Sequence, residues 1–375
     1  MRLLFLLLFC IIITGFSVSA QTTLNPDISL VGDFQIFSHN DKSLPEEKEK
    51  LNLSDPEIEL NINGYLNPYA RADAVIAWHG DHNAEIEEAY ATFLRGLPLN
   101  INLRAGKYLL EFGRLNTVHP HAYSFIKRPL PHEMFFGEEG LSDVAIRASL
   151  SIPTGEAFTE LMGGILKGNV LSAYENEEAS EVQEDDEVKV EPGFFGRLTT
   201  SFAVSDAAEL AIGGSVVNAV YKVTDHESGI EPEQLRAWLL GSDVKYKFKP
   251  SRYTALLIEA EGIMRQNKLG GDEKGLNSYG AYGYIDYRFK QKYNIGTIYE
   301  WVRAKEAIAD ESEAGYEIHQ GDTKRVGFFL GFAPVEETSL IRLAGHLTDP
   351  EDSDSFWEAT LQLVISLGPH KPHNF

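Results

Sequence analysis

Polar and apolar residues alternate along most of the chain, and this period of two limits the fold more than any other feature. The run Glu57–Asn63 alternates strictly, and the run Phe356–Leu367 places Trp357 and Leu361 on one face and Thr360 on the other. Such alternation predicts strands with one apolar and one polar face. Sixteen runs of this kind can be counted, most of them nine or more residues long. A tilted strand needs about 9–11 residues to cross a membrane.

The links between these runs alternate in length. Short links such as Asn67-Pro68 and Lys249-Pro250-Ser251 follow every second run, whereas long polar links such as Ser38–Pro56 follow the others. Transmembrane β-barrels combine short periplasmic turns with long outer loops. We therefore predict an all-β fold, a transmembrane antiparallel β-barrel of about sixteen strands with short periplasmic turns and long outer loops. A soluble β-sandwich or β-helix shares the period, but it predicts neither the alternating links nor strands of this length.

The N-terminal residues predict a cleaved signal peptide. Arg2 supplies a positive charge, Leu3–Ile13 is an apolar run too short to span a bilayer with ease, and Val18-Ser19-Ala20 form a small-residue cleavage site. The predicted organisation is a signal peptide at residues 1–20 followed by one outer-membrane barrel domain at residues 21–375. The protein is therefore expected in the outer membrane of a Gram-negative-type bacterium.

Composition excludes two classes of function. Lys and Arg number 33 against 56 Asp and Glu, so the net charge of -23 would repel nucleic-acid phosphates and no nucleic-acid partner is expected. The single cysteine, Cys10, lies in the predicted signal peptide, and no Gly-x-Ser-x-Gly elbow occurs. We therefore predict no enzymatic activity and no cofactor.

Several motifs resemble those of a bacterial outer-membrane family. They are Asn25–Phe34, Tyr69–Asp73, Glu88–Tyr90, Arg104–Lys107, Phe112–Asn116, His119–His121, Arg128-Pro129 and Phe136–Leu141. Members of this family are often labelled zinc-regulated TonB-dependent outer membrane receptors, and they are similar to phosphate-selective porins. A TonB-dependent receptor has a 22-stranded barrel around a folded plug. The present chain has no room for a plug beside about sixteen strands, so we expect no TonB coupling.

The link Gly113–Leu141 is the third outer loop, and the resemblance to porins implies that this loop folds inward to narrow the pore. Its many apolar residues, among them Phe125 and Phe136, are unusual for a loop exposed to water. Its opposite charges would create a transverse field across a constriction. The predicted constriction residues are Arg114, His119, His121, Lys127, Arg128, Glu133, Glu138 and Glu139. Alternatively, these charges pair with lumenal residues such as Asp143, Arg147, Glu59 or Arg71 and fix the loop in place.

The polar faces of the predicted strands supply the lining of the pore. The predicted lining residues are Glu59, Arg71, Asp73, Arg104, Asp143, Arg147, Lys245, Lys247, Glu259, Glu261 and Arg342. Because both signs of charge occur among them, the sign of any ion selectivity stays open. Aromatic residues of two consecutive predicted strands are typical of girdles at the membrane interfaces. They are Tyr279, Tyr282, Tyr284, Tyr287, Tyr293, Tyr299 and Trp301.

Histidines in the predicted outer loops suggest a metal site. His119, His121 and His132 share one loop, and His79-Gly80-Asp81-His82 lies in the preceding one. Imidazole and carboxylate ligands suit zinc. Against this, the two rings of a His-Pro-His motif point apart unless the backbone bends, and no HExxH spacing occurs. The acidic composition of the link Gly168–Pro192 is typical of a solvent-exposed loop; alternatively, its carboxylates bind calcium or magnesium.

The pattern as a whole predicts a porin or channel for passive diffusion of small hydrophilic solutes or ions. The alternative is a non-conducting outer-membrane barrel that binds a metal ion or an extracellular partner through its loops. Expected partners are outer-membrane lipid, lipopolysaccharide and the barrel assembly machinery, which recognises a terminal strand such as Leu361–Leu367 or the final Phe375. A homo-oligomer is compatible with the pattern, which does not fix the oligomeric state.

Overall fold

The structure is a computed structural model that describes residues 26–80, 83–137, 139–168, 192–223, 233–267, 276–309, 316–335 and 338–368. Several predictions fall outside these residues. They concern the signal peptide at residues 1–20, most of the acidic link Gly168–Pro192, Glu138, the Asp81-His82 pair and the terminal Phe375. Among the described residues, no helix is both long and apolar enough to cross a membrane.

Strands account for most of the described chain. Their bounds are β1 Asp27–His39, β2 Glu57–Asn67, β3 Ala70–His79, β4 Glu85–Phe93, β5 Asn102–Leu109, β6 Ser142–Thr154, β7 Ala157–Leu166, β8 Gly193–Ser205, β9 Ala208–Val223, β10 Glu233–Ser251, β11 Thr254–Asn267, β12 Leu276–Phe289, β13 Tyr293–Ala309, β14 Tyr316–Val335, β15 Ser339–Pro350 and β16 Phe356–Leu367. A two-residue strand, Asn52–Leu53, lies in the link after β1, and a helix, α1, spans Leu130–Phe136.

The sixteen long strands close into a barrel. Each pairs antiparallel with the next, and β1 pairs on one side with β2 and on the other with β16, where Phe34 lies opposite Leu363. Closure leaves the barrel sheet without an unpaired edge. Two-residue turns such as Gly155-Glu156 join strands at one end, and Gly155 has the positive φ (71°) that a tight hairpin turn needs. The predicted antiparallel barrel is confirmed.

Side chains of the strands alternate between the two faces of the wall. In β16, Leu361 is 46% exposed on the outer face, whereas Gln362 is fully buried inside the barrel. The same contrast separates Ile258 outside from Glu259 inside on β11. The outer face therefore offers the apolar surface that lipid requires, and the inner face carries the polar groups.

Two predictions about individual elements need correction. The alternation in the sequence predicts the fifth strand at Leu99–Phe112, but this strand spans Asn102–Leu109, because Leu99 and Asn100 adopt positive φ values (58° and 54°) in a turn before it. Tyr282 and Tyr284 were expected in an interface girdle, but both are buried on the inner face, opposite Glu261 and Glu259. Their position follows from strand parity, which places every second residue inside.

An aromatic row does occur on the outer face near the short-turn end. The rings of Tyr287, Phe289, Tyr293 and Phe332 stack in sequence, with centroids 6.0, 5.2 and 5.1 Å apart. Aromatic rings at this depth are typical of the membrane interface of a barrel.

Candidate functional site

The segment Leu110–Leu141 is here called the inner loop, and its described residues, all but Glu138, lie inside the barrel. Its two ends are held together by Asn116, whose side chain is completely buried. The Asn116 amide donates hydrogen bonds to the carbonyl oxygens of Leu110 (2.8 Å) and Leu141 (2.9 Å), and its oxygen accepts one from the Leu141 N–H (2.8 Å). This clamp satisfies backbone groups that would otherwise be buried without partners.

Apolar residues of the inner loop pack against two regions of the inner wall. One cluster joins Leu110, Phe112, Phe135, Phe136 and Leu141 of the loop with Val217, Leu239 and Ile263 of β9, β10 and β11. The other joins Leu115, Tyr123, Phe125 and Ile126 of the loop with Leu257, Tyr284, Ile298 and Phe329 of β11 to β14. These contacts remove apolar loop residues from water and thereby favour the inward position of the loop.

Ion pairs join the loop to β10, β14 and β16. Arg114 lies 2.6 Å from Asp243 of β10, and Lys127 lies 2.6 Å from Glu358 of β16. Glu133 lies 3.3 Å from Arg325 of β14. The charges of the loop therefore meet wall residues far away in sequence. This arrangement corresponds to the alternative in which loop charges pair with the wall, although Asp243, Glu358 and Arg325 were not among the partners expected.

Arg325 has the most complete set of partners. Its guanidinium makes two hydrogen bonds to Glu300 of β13 (3.0 and 2.8 Å), the bidentate geometry that arginine favours with a carboxylate. It also donates to the backbone oxygen of Arg128 (2.6 Å), while Glu300 accepts the backbone N–H of Leu130 (2.6 Å). One arginine thus connects β13 and β14 to the inner loop.

The predicted lining residues of the strands all lie on the inner face or at its mouths. Arg71 pairs with Asp73 (2.9 Å), Arg104 and Arg147 both pair with Glu111 (3.0 and 2.7 Å), and Lys245 lies 3.7 Å from Glu259. Asp143 accepts a hydrogen bond from the N–H of Gly168 (2.8 Å), and Arg342 donates one to the backbone oxygen of His121 (2.8 Å). Glu261 is hydrogen-bonded to His132 and accepts hydrogen bonds from the N–H groups of Arg114 and Leu115.

The charged lumenal residues that sequence reasoning missed include Arg197, Asp243 and Arg325. Arg197 pairs with Asp243 at 2.6 Å, so Asp243 is shared between this arginine and Arg114. The signal was available, because all three lie on the polar face of a predicted strand.

Cavities of opposite charge lie at the two ends of the barrel. A cavity of about 380 Å³ at the long-link end is lined by Glu57, Glu85, Glu87, Glu139, His79, His119 and Arg128. A cavity of about 160 Å³ at the short-turn end is lined by basic residues that include Lys249, Arg252, Arg288, Lys292 and Arg342. A solute that moves through the barrel would therefore meet acidic groups at one end and basic groups at the other.

His119 and His121 meet carboxylates of the wall beside the acidic cavity. His119 Nδ1 lies 3.3 Å from both Glu59 Oε1 and Glu87 Oε2, and His121 Nδ1 lies 3.0 Å from Glu59 Oε1. Their rings are stacked at 5.8 Å, so the backbone bend that the His-Pro-His motif required is present. Burial opposes protonation of His119, but Glu59, Glu87 and Glu88 outweigh it and hold the pKa of His119 well above its usual value.

The structure separates His132 from these two histidines. His132 Nε2 lies 3.0 Å from Glu261 of β11, and its ring lies against Phe136 (4.6 Å) and Tyr282 (5.4 Å). Burial lowers the pKa of His132 in spite of the neighbouring carboxylate. The predicted set His119, His121 and His132 is therefore corrected, because the helix α1 carries His132 to another wall of the barrel.

The chain has an outer-membrane porin-like barrel fold with a loop inside the barrel. Compared with solved structures, the chain is similar to a loop-deletion mutant of OmpT, an outer membrane protein of Vibrio cholerae (TM-score 0.59, 9% identity, 92% of this chain and 99% of that one). It is also similar to the outer membrane channel DcaP of Acinetobacter baumannii (TM-score 0.55, 13% identity, 93% and 99%) and to an anion-selective porin from Comamonas acidovorans (TM-score 0.56, 6% identity, 92% and 100%).

Sequence comparison adds a relative without a described function. An uncharacterized protein of Aquifex aeolicus (strain VF5) is 28% identical over 394 residues, which cover 95% of this chain and 81% of that protein. No protein-family model matches the chain. The resemblance drawn from the motifs is thus supported at the level of outer-membrane porin barrels, and the comparisons show neither a TonB-dependent receptor nor a zinc-regulated family.

Proposed function

We propose that this protein is an outer-membrane channel for passive diffusion of small hydrophilic solutes or ions. The observation that supports the proposal best is the inner loop, which is fixed inside a closed barrel by ion pairs to β10, β14 and β16. A charged segment held across a polar lumen can sort solutes by size and charge. Such a channel changes no covalent bond, and its outward apolar face would contact outer-membrane lipid and lipopolysaccharide.

Export and assembly complete the proposal. Residues 1–20 would direct export as a cleaved signal peptide, and the barrel assembly machinery would insert the mature chain. A trimer form is described for OmpT of Vibrio cholerae, which has the same fold at 9% identity (TM-score 0.58). We include a homo-oligomer in the proposal on that basis.

Recordings in planar lipid bilayers test the channel directly. Addition of the refolded, detergent-solubilised protein should produce stepwise increases in current, and each step should be steady and linear with voltage. The reversal potential in a salt gradient then gives the sign of selectivity, which the opposed charges at the two ends leave open. The control is the same protein after heat denaturation. A protein that is folded and inserted but silent would contradict the channel and favour the non-conducting, loop-binding alternative.

A further inference from the structure

A cluster of imidazoles and carboxylates lies beside the acidic cavity and is not needed to hold the inner loop at β10, β14 or β16. It consists of Glu57 and Glu59 on β2, His79 at the end of β3, Glu87 on β4 and His119 on the inner loop, and it is here called the cation cluster. Four separate elements of the barrel therefore converge on one point.

A β-bulge brings Glu87 into this cluster. In the pairing of β3 with β4, Val75 lies opposite Glu88 and Ile76 lies opposite Ile86, so Glu87 is the extra residue on β4. Regular alternation would point neighbouring residues to opposite faces, yet Glu88 is buried inside and Glu87 lines the cavity. Bulges that re-aim a side chain are common beside functional sites.

The cluster contains two sets of ligand atoms that share Glu87. Glu59, Glu87 and His119 form one set, and Glu57, His79 and Glu87 form the other; within each set the ligand atoms lie within 4.8 Å of one another. Glu87 Oε2 lies 3.3 Å from His119 Nδ1, and Glu87 Oε1 lies 3.6 Å from His79 Nε2. Each oxygen of Glu87 therefore faces a different set.

These separations suit a bound cation. Tetrahedral zinc sites have metal–ligand bonds of about 2.0–2.2 Å, which places neighbouring ligand atoms roughly 3.4 Å apart. The distances of 3.3 Å from His119 Nδ1 to Glu59 Oε1 and to Glu87 Oε2 are close to that value. His121 lies 3.0 Å from the same Glu59 oxygen and is in a position to orient it, as outer-shell groups orient metal ligands.

Burial gives a second, independent indication. Glu59 is only 1% exposed, and in the described part of the chain no donor forms a hydrogen bond with its Oε2 atom. Glu87 Oε2 and His79 Nε2 are also buried, and neither has a hydrogen bond within the described residues. A buried carboxylate oxygen is costly unless a donor or a metal compensates it.

We propose that Glu59, Glu87 and His119 bind a divalent transition-metal cation of the zinc class, and that Glu57 and His79 form a second, more exposed subsite with the other oxygen of Glu87. The mixture of imidazole nitrogen and carboxylate oxygen selects this class over calcium or magnesium, which prefer oxygen ligands alone. The site does not depend on conduction through the barrel.

Calorimetric titration of the EDTA-treated, folded full-length protein with Zn²⁺ tests the site. Wild type should bind in a saturable manner, and His119→Gln and Glu59→Gln should each weaken the tighter binding by roughly tenfold or more. His79→Gln should remove the weaker binding event and keep the tighter one. Titration with Co²⁺ should give an absorption band in the visible range, which His119→Gln abolishes.

Matched variants distinguish this site from general effects. His346→Gln changes a lumenal histidine on β15, outside the cation cluster, and should leave the Zn²⁺ titration unchanged. Glu87→Gln keeps the shape of the side chain and should weaken both binding events.

Each variant is used only if its circular dichroism spectrum matches that of the wild type. Absence of Zn²⁺ binding by wild type, or equal binding by wild type and the folded His119→Gln or Glu87→Gln proteins, would overturn the proposal. Because the titration measures no current, a silent bilayer recording leaves this result unaffected.

Discussion

Replacing Tyr123–Met134 with a short Gly-Ser link should raise the single-channel conductance by about twofold or more, which is the size expected from the area that the loop occupies. Sixteen strands spaced by about 4.8 Å and tilted by about 40° form a barrel about 32 Å across, of which roughly 20 Å remains between inward side chains. A chain segment with its side chains is about 10 Å wide, and the inner loop both enters and leaves the lumen. Conductance rises with the open cross-section, so planar-bilayer recordings measure the change directly.

A second deletion serves as a control for this result. The segment Ser43–Lys50 also belongs to a long link, but most of its residues are exposed and none packs in the two lumenal clusters. Removing it should leave the conductance unchanged. Equal conductance of wild type and the Tyr123–Met134 replacement would contradict a constriction by the inner loop.

The barrel could be predicted from the sequence because the information for it is local. Period-two alternation and the alternating lengths of the links are properties of short segments, and the run predicted at Phe356–Leu367 is the observed β16. Closure of the sheet into a barrel follows from the number of strands and from the apolar and polar faces of each strand. The error at the start of β5 has a local cause as well, since the positive φ values of Leu99 and Asn100 place these residues in the turn before the strand.

The partners of the inner loop could not be predicted in the same way. Lys127 and Glu358 are 231 residues apart, and they meet only because closure brings β16 beside the loop. The alternation of inward and outward residues along a strand identifies which strand residues face the lumen. It does not predict how deep in the barrel a loop residue lies, or which strands it contacts. Parity also fails at Glu87, because the bulge in β4 turns this residue inward beside Glu88. The cation cluster therefore required coordinates, although His119 and His121 were recognised from their residue types.

The substitution Arg325→Met should lower the free energy of unfolding by about 3–5 kcal/mol, the usual cost of removing one partner of a buried ion pair. Arg325 is 5% exposed and Glu300 is 1% exposed, so the carboxylate of Glu300 would stay buried without its bidentate partner. Among the described residues, only the N–H of Leu130 would remain to compensate it. Denaturant-induced unfolding of the barrel in lipid vesicles measures the loss.

The same two strands provide a matched control. Arg303 of β13 lies opposite Asp322 of β14 and makes an ion pair of 2.6 Å, but its side chain is 44% exposed. Arg303→Met should therefore cost much less stability than Arg325→Met, because exposed ion pairs contribute little. The double variant Arg325→Met/Glu300→Gln should recover part of the stability, because it removes the uncompensated charge. Equal losses for Arg325→Met and Arg303→Met would show that burial of the Arg325–Glu300 pair has no special role. A larger loss at Arg325 would mean that the connection between the wall and the inner loop depends on one buried guanidinium.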